Sequence, residues 1–328
     1  MRGANDPSAP LEEIAVAAYS DPSGRLLGEC HGLMHTVGRE YAAAHEVTLE
    51  NLMSYLPQTN EPGCSAGFAH GLVTGVAPQI DLGDPAASAA VCDETGTRYR
   101  RYSCIHGFGH AFMRLVREDL AAALDLCSAL GAEAPDCSQG AFHDYWFAAI
   151  GADDTTPPKT LVDDPRELCG AQAEEFVRPC WYRAFIDDRP DEPIASAADI
   201  LALCDGLAGL QRQACITAAS VVGPPDPRVQ LSFCTELDGE DAVSCIRGTK
   251  VQNLIVSPPE DHVALIRRCD RFAAETRLAC YRWLGRVLAV LTDGEFEQYG
   301  CKSLADGPAR RACLRGAGEI DEPLVTFS

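Results

Sequence analysis

Apolar residues recur along this chain at helical spacing, in blocks separated by short polar links and proline-rich breaks. Glu118-Asp-Leu-Ala-Ala-Ala-Leu-Asp-Leu-Cys127 and Ala197-Ala-Asp-Ile-Leu-Ala-Leu-Cys204 place apolar side chains at i, i+3 and i+4 among good helix formers. Each predicts an amphipathic helix, termed here an A helix. A link holding Gly, Asp or Pro follows, as in Ala134-Pro-Asp before Cys137 and Gly206-Leu-Ala-Gly209 before Cys215. The second cysteine then opens a further apolar stretch, the B helix, as in Cys280-Tyr-Arg-Trp-Leu-Gly-Arg-Val-Leu-Ala-Val. Breaks at Thr156-Pro-Pro, Asp188-Arg-Pro-Asp-Glu-Pro193, Gly223-Pro-Pro-Asp-Pro227 and Ser257-Pro-Pro259 stop one helix and reset the chain for the next.

The cysteines mark the same unit. They fall into seven couples: Cys92 and Cys104, Cys127 and Cys137, Cys169 and Cys180, Cys204 and Cys215, Cys234 and Cys245, Cys269 and Cys280, Cys301 and Cys313. Members of a couple stand 10 to 12 residues apart, and the second members recur every 30 to 43 residues. A period near 34 is the length of a helical-hairpin repeat. One disulfide per repeat, across the corner where A turns into B, fits this layout, and closing so short a loop is worth roughly 3 kcal/mol in the chain-entropy model. Cys30 and Cys64 have no A-helix partner and are expected to join each other, with a reduced pair of soft ligands as the alternative. The expected fold is an all-α superhelix over residues 12–322, preceded by a disordered segment at 1–11. Histidine-rich repeats fill 12–155 and histidine-poor ones 156–322.

Composition narrows the setting. Of 328 residues 46% are hydrophobic, which excludes a disordered chain, and the net charge of −21 repels nucleic acid and anionic membrane surfaces. No apolar run is long enough for a membrane span. Sixteen cysteines without a C-x-x-C knuckle favour an oxidising compartment. The chain is therefore expected to be extracytoplasmic, secreted or periplasmic, with its export signal outside this numbering.

In period, corner cysteines and helix-turn-helix layout, residues 85–320 resemble the tetratricopeptide class, and more closely its secreted, cysteine-rich relatives with one disulfide per helical pair. The characteristic tryptophan, glycine and tyrosine spacing of those families is missing. In its place arginines flank the second cysteines: Arg212, Arg277 and Arg311 before them, Arg183, Arg247, Arg282 and Arg315 after them. These are expected to bridge acidic neighbours. The resemblance implies a protein that holds other molecules, such as a peptide or partner protein on a concave face.

The histidines point to chemistry. Four B-helix segments align: His31-Gly-Leu-Met-His35, Ala66-Gly-Phe-Ala-His70, His106-Gly-Phe-Gly-His110 and Gln139-Gly-Ala-Phe-His143. Glycine takes second place and histidine fifth in all four. Residues i and i+4 share one helix face, so His31 with His35 and His106 with His110 can each chelate one ion. Glycine costs about 1 kcal/mol of helix propensity relative to alanine, and it lets neighbouring backbones approach until their imidazoles meet. The spacing suggests two triads, His31, His35 and His70, and His106, His110 and His143, joined into a dinuclear centre if the helices bring them together. Three imidazoles with an open position suit copper or iron first and zinc second. Such a centre would bind or activate oxygen in an oxidoreductase, with a zinc hydrolase as the lesser expectation. The alternative is a metal-free scaffold in which Gly-x-x-His is a packing signature. His45 is expected at the surface or behind the ligands, His262 exposed, and Glu40, Asp93 and Asp144 are candidate acceptors that orient imidazoles. Ordinary imidazoles release metal as the pH falls below about 6. The chain carries no phosphate loop, nucleophile elbow, H-E-x-x-H or C-x-x-C-H motif.

Overall fold

The computed structural model describes residues 8–19, 25–147, 164–188, 194–254 and 257–318. Residues 1–7 of the expected disordered segment, the Thr156-Pro-Pro break, most of the Asp188–Pro193 break and residues 319–322 lie outside these. The described residues are helices and their connections, with no strand among them. They form two compact units, Met1–Arg183 and Ala184–Glu322. The expected division between histidine-rich and histidine-poor repeats at 155/156 thus falls inside the first unit.

The first unit comprises α1 (Ser8–Tyr19), α2 (Arg25–Ala44), α3 (Cys64–Gly75), α4 (Pro85–Ala89), α5 (Arg98–Leu115), α6 (Leu120–Ser128), α7 (Ala134–Phe147), α8 (Pro165–Gly170) and α9 (Glu174–Arg183). Its B helices α2, α3, α5, α7 and α9 pack in succession, each on the one before. The A helices α4, α6 and α8 are short and lie outside that row. The second unit repeats the hairpin with α10 (Ala197–Leu203), α11 (Gly209–Val221), α12 (Pro227–Cys234), α13 (Gly239–Arg247), α14 (Pro259–Arg267), α15 (Ala274–Leu291), α16 (Glu295–Tyr299) and α17 (Pro308–Ala317).

Local chemistry sets the helix starts. Asp84, Asp164 and Asp226 each precede a proline at the first helical position and accept a backbone N–H of the first turn, and Asp119 caps α6 from Ala122 N–H at 3.1 Å. The prolines of the breaks therefore open A helices as well as ending what precedes them. The second cysteine does not open the B helix as expected. Cys104, Cys180, Cys215, Cys245, Cys280 and Cys313 all sit at least a turn inside α5, α9, α11, α13, α15 and α17; only Cys64 is first in its helix. The turn before each cysteine is already helical, as where Thr97 caps α5 by accepting Arg100 N–H.

All sixteen cysteines are paired in eight disulfides, with Cα–Cα separations of 5.1 to 5.8 Å. Seven join the end of an A segment to the adjacent B helix, as expected. The eighth, Cys30–Cys64, ties α2 to α3 across 34 residues. Such pairing fits an oxidising, extracytoplasmic compartment. No described helix is long and apolar enough to cross a membrane.

Arg212, one of the flanking arginines, bridges to Asp241 at 2.7 Å as expected. Arg277 departs from that pattern, donating to the carbonyl oxygen of Phe272. Arg183 is buried beside the histidines.

Candidate metal centre

Four crossing helices and two glycines set the site. A Cβ on Gly67 of α3 would collide with the backbone carbonyl of His31 on α2, and one on Gly140 of α7 with the carbonyl of His106 on α5. These contacts are equivalent, because Gly67 and Gly140 hold the same place in their segments. Each lets a helix bearing one histidine lie in backbone contact with a helix bearing two.

The six imidazoles converge on one cluster. His70, His106, His110 and His143 are buried, and His31 and His35 half-buried. Ring centroids lie 4.9 Å apart for His31 and His35, 5.1 Å for His35 and His70, 4.6 Å for His35 and His110, 4.3 Å for His70 and His106, and 5.0 Å for His110 and His143. Three sets each offer ligand nitrogens within 4.8 Å of one another: His31, His35 and His70; His35, His110 and His143; His70, His106 and His110. Each set could hold a metal ion.

This grouping differs from two separate triads. His35, His70 and His110 each belong to two sets and form an inner triangle, with His31, His143 and His106 outside it. His106, His110 and His143 do not close on their own, since the rings of His106 and His143 are 6.3 Å apart. The cause is the position of α5, which packs against both α3 and α7 and so presents His110 to histidines of both repeats.

Hydrogen bonds behind the rings decide which nitrogens face inward. His31 Nδ1 lies 3.0 Å from the Gly63 carbonyl oxygen. A carbonyl only accepts, so Nδ1 carries the proton and Nε2 turns a lone pair inward. His110 Nδ1 likewise donates to Asp144 Oδ1 at 2.8 Å, leaving Nε2 buried with no hydrogen-bond partner among the described residues. His70 pairs Nε2 with Ser103 Oγ at 3.1 Å and turns Nδ1 to His35. His35 Nε2 then faces two nitrogens, His31 Nε2 at 3.1 Å and His70 Nδ1 at 3.2 Å. One proton cannot serve both contacts well.

Charge is disfavoured on five of the rings. Burial, then Arg183 and His110, push His31 down to about 4. Burial first, and neighbouring imidazoles and Arg183 next, hold His35, His70, His106 and His143 well below the ordinary histidine value. These rings are neutral near pH 7, the form that binds metal.

The other candidates are sorted by contact. Of the three proposed acceptors only Asp144 reaches a ring; Asp93 pairs with Arg101, and Glu40 is exposed. His45 is exposed and stacked on Tyr41 at 4.0 Å. His262, expected at the surface, is buried at 4% exposure. Its Nε2 donates to the Leu254 carbonyl oxygen at 2.8 Å and its Nδ1 meets Tyr299 Oη at 2.6 Å, a packing role in the second unit. Gln139 holds the place of His31 and His106 in its own segment, but it is bound by Tyr102 Oη at 3.3 Å and contributes no imidazole.

Two site residues lie outside the sequence expectation. Ser103, immediately before Cys104, orients His70. Arg183 on α9 is 2% exposed and points Nη2 at His106 Nε2, 3.4 Å away. An alignment of the fifth B helix would have found it: Tyr182-Arg183 occupies the place of His106-Gly107, so arginine stands where the other four segments have glycine. The chain matches no family model, no curated protein and no solved structure.

Proposed function

We propose that this protein is an extracytoplasmic, disulfide-braced helical repeat that carries a transition-metal centre on six histidines, used in oxygen or redox chemistry. The observation carrying this reading is the meeting of three nitrogens at His35 Nε2. A metal held about 2.0–2.1 Å from each of two imidazole nitrogens in a tetrahedral site sets those nitrogens about 3.3 Å apart. Contacts of 3.1 and 3.2 Å match one edge each of such a polyhedron. A cation satisfies all three lone pairs at once, whereas hydrogen bonding leaves one contact without a proton.

The all-nitrogen donor set supports copper or iron first and zinc second. His31, His35 and His70 would form one triad, and His110 and His143 the core of a second position. The proteins' own residues do the rest: Gly63 and Asp144 fix two imidazoles in their metal-binding tautomers, Ser103 fixes a third, and tight helix packing limits water. When bound, the metal would supply the electron exchange and an open coordination position for oxygen.

Elemental analysis of natively purified protein tests the reading, together with metal uptake by the His110→Ala variant. At least one equivalent of copper or iron in the parent, reduced in the variant, is expected. A parent protein free of transition metal, and unable to take up copper, iron or zinc after dialysis, would overturn it.

A further inference from the structure

Ser65 and Ser103, each next to a disulfide cysteine, line a pocket that the metal reading does not use. It lies between residues 53–61, α3 and α5, with about 330 Å³ of empty space up to its open mouth, at the small end for a ligand site. Met53, Leu56, Ala66 and Ala69 give it apolar walls. Ala66 holds the place that His31, His106 and Gln139 fill in the other three segments, and its smaller side chain leaves room there.

The two hydroxyl groups on this pocket lack acceptors. Ser65 is 2% exposed, and its Oγ has no hydrogen-bond partner among the described residues. Ser103 is 4% exposed, and its Oγ meets His70 Nε2 at 3.1 Å. When His70 turns the lone pair of Nδ1 toward His35 for a metal, its proton sits on Nε2 and is donated to Ser103. The Ser103 O–H is then a second donor without an acceptor among the described residues. Buried hydroxyl groups are seldom left so in native proteins.

We propose that this pocket binds a small neutral molecule with an apolar body and a carbonyl oxygen, hydrogen-bonded by Ser65 and Ser103. The Ser103 contact rests on the metal reading, which sets the His70 tautomer, whereas the Ser65 contact stands without it. A carbonyl oxygen fits because it accepts through two lone pairs and brings no donor of its own. Charge selects a neutral guest. The wall carries one group of each sign, and both are engaged: Glu61 accepts the N–H groups of Gly63 and Ser65, and Arg100 donates to Thr97 and Gln58. A guest that accepts from Ser103 would also hold His70 in its metal-binding tautomer.

Cyclopentanone serves as the probe, titrated into zinc-loaded full-length protein and followed by the backbone amide NMR shifts of Ser65, Ala69 and Ser103. Methylenecyclopentane, of the same shape but without the oxygen, is the control. The parent should bind the ketone at least tenfold more tightly than the alkene. Ser65→Ala and Ser103→Ala should each weaken the ketone about fivefold, the worth of one neutral hydrogen bond, and leave the alkene unchanged. Equal affinity for ketone and alkene, no binding at these amides, or a ketone affinity untouched by either substitution would overturn the proposal. Should Ser65→Ala not fold, Ser103→Ala decides on the same criterion. Failure of the metal reading shows separately, as no zinc taken up before the ketone is added. In that case the metal-free protein is titrated: a ketone weakened by Ser65→Ala supports the pocket, and an unchanged one overturns it.

Discussion

His110 donates its Nδ1–H to Asp144 Oδ1 at 2.8 Å, and the opposite nitrogen of the same ring is buried with no hydrogen-bond partner among the described residues. A carboxylate behind a ring fixes the tautomer, aims the free nitrogen and raises its basicity. Asp144 takes the place that Gly71 has in α3, where a Cβ would collide with the carbonyl oxygen of His35. The two helix pairs share a plan, and at this position one spends it on close packing and the other on a carboxylate that orients His110.

Asp144→Ala should therefore weaken metal binding about 10- to 100-fold, the usual cost of losing such a partner. Asp144→Asn, which keeps an acceptor and loses the charge, should cost less. Competition against a chelator of known affinity measures both. Equal affinity in all three proteins would remove Asp144 from the site.

Acid should destabilise the metal-free protein in a defined window. His31 is held at about 4 and four other ring histidines are also lowered, chiefly by burial, against about 6.5 in an unfolded chain. Between these values the unfolded chain binds protons that the folded chain does not, so folding stability falls as the pH drops. It is fully present above about 6.5 and is lost progressively toward 4. Melting temperatures of chelator-treated protein from pH 7 to 4.5 test this, and a flat profile would contradict it. The same depression extends metal retention below the pH of about 6 expected for ordinary imidazoles, because these rings stay neutral further into acid.

Gly67→Ala tests the close approach of α2 and α3. The added methyl meets the His31 carbonyl, which is backbone and cannot swing aside, so the helices must separate. A loss of about 1–3 kcal/mol in stability is expected from overpacking. Because His31, His35 and His70 sit at this crossing, metal affinity should fall too. Gly170→Ala, which faces open space in the same unit, is the control and should leave affinity unchanged. Chemical denaturation and metal titration of both variants give the answer.

Much of this was legible in the chain. Cysteine spacing gave the repeat and its clasps, because a covalent corner needs two residues at a fixed separation. The Gly-x-x-His pattern identified the face on which the histidines gather, because spacing along a helix fixes which side chains share a side. The rotation of each helix about its axis is set by packing against neighbours, so the inner triangle of His35, His70 and His110 could not be read from spacing. His262 misled for a related reason: Glu260 and Asp261 beside it belong to an exposed first turn, while contacts from Leu254 and Tyr299 bury the ring. Arg183 was hidden by company, one arginine among many after a second cysteine.

The Cys30–Cys64 disulfide stands apart from the other seven in position and in consequence. It closes 34 residues, which the chain-entropy model values at about 4 kcal/mol against about 3 for a hairpin clasp of 11 residues such as Cys234–Cys245. Its two cysteines adjoin His31 and Gly63, the ring and the carbonyl that meet at 3.0 Å. The bond therefore holds together the partners that fix the His31 tautomer. Replacing both cysteines by alanine should lower stability and also weaken metal binding, whereas replacing Cys234 and Cys245 should lower stability alone. Denaturation midpoints and metal titrations of the two double variants separate the effects. If both lost metal to the same degree, the link between Cys30–Cys64 and the first triad would be wrong, and the loss would reflect global stability only.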